Sequence, residues 1–252
     1  MWEIYDELIN TIPKDIKIES FLAGLHWFLV RSSGTGMAMT PLEGKRSLML
    51  QGSISGRYVH DVAHYIKSWD NFEAAIGLAA INSVVNTPGN ILAISGKPPE
   101  EQIQINAFEY MKDEIAGRKV AVIGHFRDLE NIAESCELTI LERKPAPGDL
   151  PDPSCEYILP FQDYVFITAT TLINKTLPRL LELSRNAYVI LVGPSTPMHP
   201  CLFKYGIDML AGTTVFDGRR VWNLIREGDR HRFFEEGASM VKIGREEVKR
   251  GY

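Results

Sequence analysis

The chain has 252 residues, 45% hydrophobic and 23% charged, the balance of a globular protein with one large domain or two small ones. Twenty-seven Lys and Arg against 32 Asp and Glu give a formal charge of −5, which speaks against nucleic acid and anionic membrane surfaces as partners, since both call for a basic face. Three widely spaced cysteines, at 136, 155 and 201, make neither a disulfide framework nor a CxxC zinc ribbon, and MWEIYDEL has no basic start or apolar block, so a cytoplasmic, reducing compartment is expected.

Residues 2–12 place Ile4, Leu8, Ile9 and Ile12 at helical spacing, and Pro13 ends the run. Aromatic and β-branched residues fill 16–31, which reads as one long strand with a bend or bulge at Gly24. SSGTG then turns the chain and MAMT returns it. Helical patterns follow at about 59–67 and 71–86, the second apolar on most sides and so predicted to be buried. Asn86-Thr-Pro-Gly-Asn breaks it. Strands before helices predict an α+β unit. The Pro-rich SGKPPEE at 95–101 is the linker candidate, dividing the chain into domains 1–97 and 98–252. A helix is expected over 102–116. Short apolar runs then recur at 119–124, 138–142, 164–169, 187–193 and 207–215, separated by helical or loop segments. That alternation predicts an α/β second domain with a doubly wound, Rossmann-like parallel sheet.

In such a sheet, ligands bind beyond the carboxyl ends of the strands. The first tip is Gly124-His125-Phe126, and Glu142 ends the second strand, 18 residues on, where an acidic residue can hold a ribose hydroxyl. GHFRDL is not GxGxxG, however, and His125 and Phe126 would crowd a pyrophosphate. In TATTLINKTL, with Thr168 at the strand tip, either Thr170 or Thr171 caps a helix, or Thr170, Thr171, Asn174 and Thr176 form a polar ligand face. In GPSTPMHP, prolines hold Gly193, Pro194, Ser195 and Thr196 rigid, offering two hydroxyls to a carboxylate, phosphate or amide, or only a turn. The motif is not GxSxG and no base accompanies Ser195. His60 and His64 share a helix face without a third metal ligand. His199 and Cys201 could give imidazole and thiolate to a soft metal, or simply pack. In the first domain, Thr35 lies on the hairpin tip, and Asn82 and Asn86 stand one turn apart at the end of the apolar helix; all three are expected at an interdomain cleft. The strand tips, Gly124, Thr170, Thr171, Asn174, Ser195 and Thr196 among them, are expected to converge there. Hydroxyls and amides with a single acidic residue suit an anionic or metal-chelating small molecule better than a bare hard cation.

GLAAINSVVN, VAVIGHF, LTILERKP, ITATTLINKTLPRLL and GPSTPMHP, in this order, resemble the heavy-metal chelation family, once catalogued as a domain of unknown function. The resemblance covers nearly the whole chain. It implies an N-terminal domain like that of enolase, a C-terminal Rossmann-like domain and an active site in the cleft between them. It also implies a metal ion or metal chelate as cofactor or cargo. Lys175 departs from the family pattern, which often has Gly there, and the stretch around His199 varies. Three functions stay open: a small-molecule-binding protein or enzyme that handles metal chelates; a transferase using a nucleotide-like cofactor such as S-adenosylmethionine, with Glu142 on its ribose; and a non-catalytic sensor that closes on its ligand.

Overall fold

The structure, a computed structural model, describes residues 2–44, 52–127 and 129–249. It opens with helix α1 (Glu3–Asn10), whose Ile4, Tyr5, Leu8 and Ile9 are buried, as the helical spacing predicts. The stretch 16–31 is not one strand. It forms β1 (Ser20–Ala23) and β2 (Trp27–Arg31), and β3 (Thr35–Met39) completes a three-stranded antiparallel sheet in the order β1-β2-β3. The chain reverses at Gly24, whose N–H donates to Trp27 O at 3.0 Å. A Cβ there would meet that carbonyl and Ile225 at 2.7 Å.

Helix α2 (Val59–Ala63) runs on as a 3-10 turn to Lys67. Helix α3 (Asn71–Val85) starts at Asp70, whose Oδ1 accepts from the amides of Phe72 and Glu73. It is buried nearly throughout, because it packs on β2 and β3 on one side and on α2 on another. Asn86 does end it, but Thr87 at once caps a helix the sequence reading lacked, α4 (Pro88–Ser95), with Pro88 in its first turn. The helix expected over 102–116 shrinks to α5 (Ala107–Tyr110), capped by Asn106.

The second sheet contains β4 (Lys119–Ile123), β5 (Glu137–Glu142), β6 (Leu150–Pro151), β7 (Tyr164–Thr168), β8 (Tyr188–Val192), β9 (Met209–Val215) and β10 (Ala238–Gly244), in the order β10-β9-β8-β7-β4-β5-β6. All neighbours are parallel except β10, which runs antiparallel to β9. Helices α6 (Glu130–Ala133), α7 (Cys155–Ile158), α8 (Thr170–Ile173), α9 (Leu177–Leu183), α10 (Gly218–Arg226) and α11 (Phe233–Glu236) join the strands. The fold is α/β, with an α+β unit leading into a Rossmann-like parallel sheet. The chain leaves β4 for β5 on one side and later returns to β7 on the other, so β4 and β7 flank the topological switch point.

Lys119–Ile123 and Phe21–Val30 lie in different sheets, yet one apolar core joins them, with residues from α3, the small sheet and one face of the large sheet. The outer edge of β10 is closed by side chains. Met240 N donates to Gln104 Oε1, Lys242 N to Gln102 Oε1 and Gly244 N to Glu247 Oε2, all within 2.9 Å. No helix among the described residues is long and apolar enough to cross a membrane.

Candidate functional site

The last turn of α3 meets the loop after β8. Asn82 Nδ2 donates to Met37 O and Ser195 O, both at 2.9 Å. Asn86 Nδ2 donates to Thr196 O (2.9 Å) and Thr213 O (3.2 Å), while its Oδ1 accepts from Met198 N at 2.8 Å. Ser195 Oγ accepts from Met39 N at 2.9 Å. The two asparagines thus meet the strand-tip loop, but as buried clamps on its backbone rather than as walls of an open cleft. Ser195 and Thr196 are buried with them. Thr35 is buried too, with its hydroxyl against Gly218 at the start of α10.

The tips of three adjacent strands, β4, β7 and β8, stay partly open. Gly124 and Gly193 both have positive φ, +100° and +114°. A Cβ on Gly124 would lie 3.2 Å from Thr168 Cγ2 and 3.5 Å from the Phe126 ring, and one on Gly193 would lie 3.8 Å from that same ring. The loops at 124 and 193 therefore share one end of the sheet and converge on Phe126. Thr168 and Thr170, both half-buried, pair their hydroxyls at 3.0 Å.

Thr171 turns inward and donates to Thr168 O at 2.6 Å. The N-cap of α8 is Ala169, so neither Thr170 nor Thr171 caps it. Asn174 Oδ1 accepts from the amide and hydroxyl of Thr176, closing a local turn. Lys175, between them, has φ +68° and is buried, with Nζ donating to Ile173 O at 2.5 Å. Burial lowers its pKa to about 8.

Glu142 ends β5 as expected, but its carboxylate is engaged. Oε1 accepts from the amides of Arg143 and Lys144, and Oε2 from that of His125. It joins the β4 and β5 tips, and His125 Nδ1 is held 2.9 Å from the buried carboxylate of Asp149. Three amides on one carboxylate leave little acceptor capacity for a ribose.

His199 Nδ1 accepts from Cys201 N at 3.2 Å. Burial lowers the His199 pKa and pushes the Cys201 thiol up to about 12, so the thiolate that a soft metal needs is disfavoured. The His60 and His64 rings pack edge to face, 5.1 Å apart. Among the described residues, no three His, Cys, Asp or Glu side chains converge on a point that could hold a metal ion. The residues present do not fit a metal bound by protein side chains alone.

Two features were missed by sequence reasoning. An apolar cavity of about 460 Å³ opens between β1, α3 and α10, lined by Phe21, Phe28, Phe72, Ile76 and Ile225. A basic group was missed too: Arg127 directly follows Phe126, and His231 lies within electrostatic reach of it, in a loop whose carbonyl at Arg230 accepts from Trp27 Nε1 at 3.1 Å. The charged run Asp229-Arg-His-Arg was the available signal for the second feature.

Two family models, each described as "Putative heavy-metal chelation", match residues 5–85 and 106–243. An uncharacterized protein of Methanocaldococcus jannaschii is 32% identical over 232 residues, covering 85% of this chain and 86% of that one. A crystal structure of a protein of unknown function from Desulfitobacterium hafniense superposes with a TM-score of 0.87 at 39% identity, covering 97% of this chain and 98% of that one. A second, from Pyrococcus horikoshii, shares the fold at a TM-score of 0.79 and 22% identity, covering 96% and 98%. With both models matched in order and a relative of this identity along most of its length, the chain belongs to the family described as "Putative heavy-metal chelation".

Proposed function

We propose that this is a cytoplasmic small-molecule-binding protein or enzyme that takes an anionic or metal-chelating small molecule at the carboxyl ends of β4, β7 and β8. One observation carries the reading: two glycines of positive φ, Gly124 and Gly193, bracket Phe126 while the half-buried Thr168–Thr170 hydroxyl pair links the end of β7, the strand between them, to the start of α8. Glycine lets a ligand approach the backbone closely, and hydroxyls and amides donate to negative groups. The aromatic ring gives the ligand body an apolar wall. With no converging set of carboxylates, imidazoles or thiolates among the described residues, a metal enters this reading as cargo carried by its own chelator.

The test is thermal melting with zinc alone, citrate alone, zinc citrate and S-adenosylmethionine. Citrate, free or metal-loaded, is expected to raise Tm, since a ligand at a hundred times its Kd adds about 2.7 kcal/mol of stability. Thr168→Val and Thr170→Val should shrink that rise. Stabilisation by zinc alone that both variants keep, or by S-adenosylmethionine only, overturns the reading.

A further inference from the structure

Beside that cleft, cationic and titratable side chains gather from three separate parts of an acidic chain. His26 lies in the β1–β2 turn, Arg127 follows the β4 tip, and Arg230 and His231 lie between α10 and α11. Packing holds the turn against that last loop: Trp27 Nε1 bonds Arg230 O, the Trp27 ring meets Phe233 edge-on at 5.6 Å, and a Cβ on Gly228 would touch Leu25 at 3.5 Å. His231 lies within electrostatic reach of Arg127, Arg230 and His26, with Asp229 as the opposing carboxylate. Asp229 is partly engaged, since its Oδ2 accepts from Phe233 N.

Two further observations point outward from the group. His231 Nε2 is buried and has no hydrogen-bond partner among the described residues. Arg127 and Arg230 are exposed, and neither side chain forms an ion pair or hydrogen bond among those residues. Like charges repel, so gathering them with only a partly engaged Asp229 opposite among the described residues costs stability. A buried ring nitrogen without a partner adds to that cost. An oxyanion would relieve both, because guanidinium forks match carboxylate and phosphate oxygens two by two.

We propose that Arg127, Arg230 and His231 form the anchoring subsite for a multiply charged oxyanion group, a phosphate or clustered carboxylates, on the ligand whose body lies at the strand tips. The proposal rests on the reading of that cleft given above. It specifies the ligand's class: a polyanion with an apolar or hydroxyl-bearing body. Because Arg127 follows a strand of the large sheet while the Arg230 loop is packed on the β1–β2 turn, a bound anion would also tie that turn to the large sheet.

The experiment is isothermal titration of the full chain with citrate and, separately, with inorganic phosphate at low ionic strength. Binding of at least one probe is expected. Arg127→Ala and Arg230→Ala should each weaken it about tenfold, the loss expected for a charge-assisted pair. Arg219→Ala, an exposed site on α10, serves as the control for net charge and should leave binding unchanged. Both arginines are exposed, so the variants are expected to fold, and their far-UV circular dichroism checks this. Binding of citrate alone identifies clustered carboxylates as the preferred group; binding of phosphate identifies a phosphate. Binding of neither probe, or equal loss with Arg219→Ala, overturns the proposal. The cleft reading is tested separately with Thr168→Val and Thr170→Val. If these abolish citrate binding while the arginine variants do not, the subsite fails and the cleft stands. If the arginine variants abolish it and the threonine variants leave it intact, the subsite stands and the cleft reading fails.

Discussion

Lys175 is the one non-glycine residue with positive φ among the described residues, and it carries a buried ammonium with a single carbonyl acceptor. Folding lowers its pKa from 10.5 to about 8, so between those values the unfolded chain binds more protons than the folded one. Stability must therefore rise with pH across that window, and the cost of the buried charge is fully present below it. Lys175→Met is expected to be more stable than the natural protein by about 1–2 kcal/mol at pH 7, and the gap should close by pH 10.5. Urea melts at pH 7, 9 and 10.5 check this; a gap independent of pH would assign the effect to the backbone alone. Ser195 presents the opposite case. Its buried Oγ accepts from the part-buried Met39 N, so Ser195→Ala removes that amide's side-chain acceptor. A loss of about 0.5–1.5 kcal/mol in urea denaturation is expected, and an unchanged midpoint would show that the contact contributes nothing.

Among the elements, α3 and β3 approach backbone to backbone. A Cβ on Gly36 would stand 2.0 Å from Ser83 N and 2.3 Å from Ala79 O, so backbone must move to admit it. Gly36→Ala is expected to lower stability by about 3 kcal/mol or more, seen as a fall in Tm of many degrees, whereas Gly89→Ala meets open space and should change little. How far such elements can be read in advance depends on what marks them. The parallel strands were legible because burial on both faces makes each a continuous apolar run. The reversal at Gly24 was not, since Gly-Leu-His carries none of the Asn-Gly or Asp-Gly chemistry of tight hairpins. Helix α4 was hidden behind Pro88, which reads as a breaker but suits a first turn. β10 was hidden by Ser239 and Lys242; the Lys242 ammonium is held by the carbonyls of Ile103 and Ile105, a partnership no local pattern announces. The same limit applies at the site. Topology located the strand tips, but spacing along the chain could not tell that Thr168 and Thr170 stay half-open while Thr171, Ser195 and Thr196 turn inward.

For the molecule as a whole, the shared core and the asparagine clamps couple the two sheets. Residues 1–97 alone would expose one side of α3 and strand the donors of Asn82 and Asn86, so that fragment is expected to stay unfolded by circular dichroism and amide exchange. The full chain should melt in a single transition seen identically by tryptophan fluorescence and far-UV signal; two resolved transitions would show the halves to be independent. The capped edge of β10 gives this coupling a direction in time. Gln102 and Gln104 emerge during synthesis long before the strand they cover, and Glu247 shortly after it. Until β10 arrives, the amides of β9 face their surroundings as an open template. At about 5–20 residues per second, that interval lasts on the order of seconds. A ribosome that stalls between the two strands would release a chain ready to pair with its neighbours, whereas the finished protein presents at that margin a row of amides already answered by its own side chains.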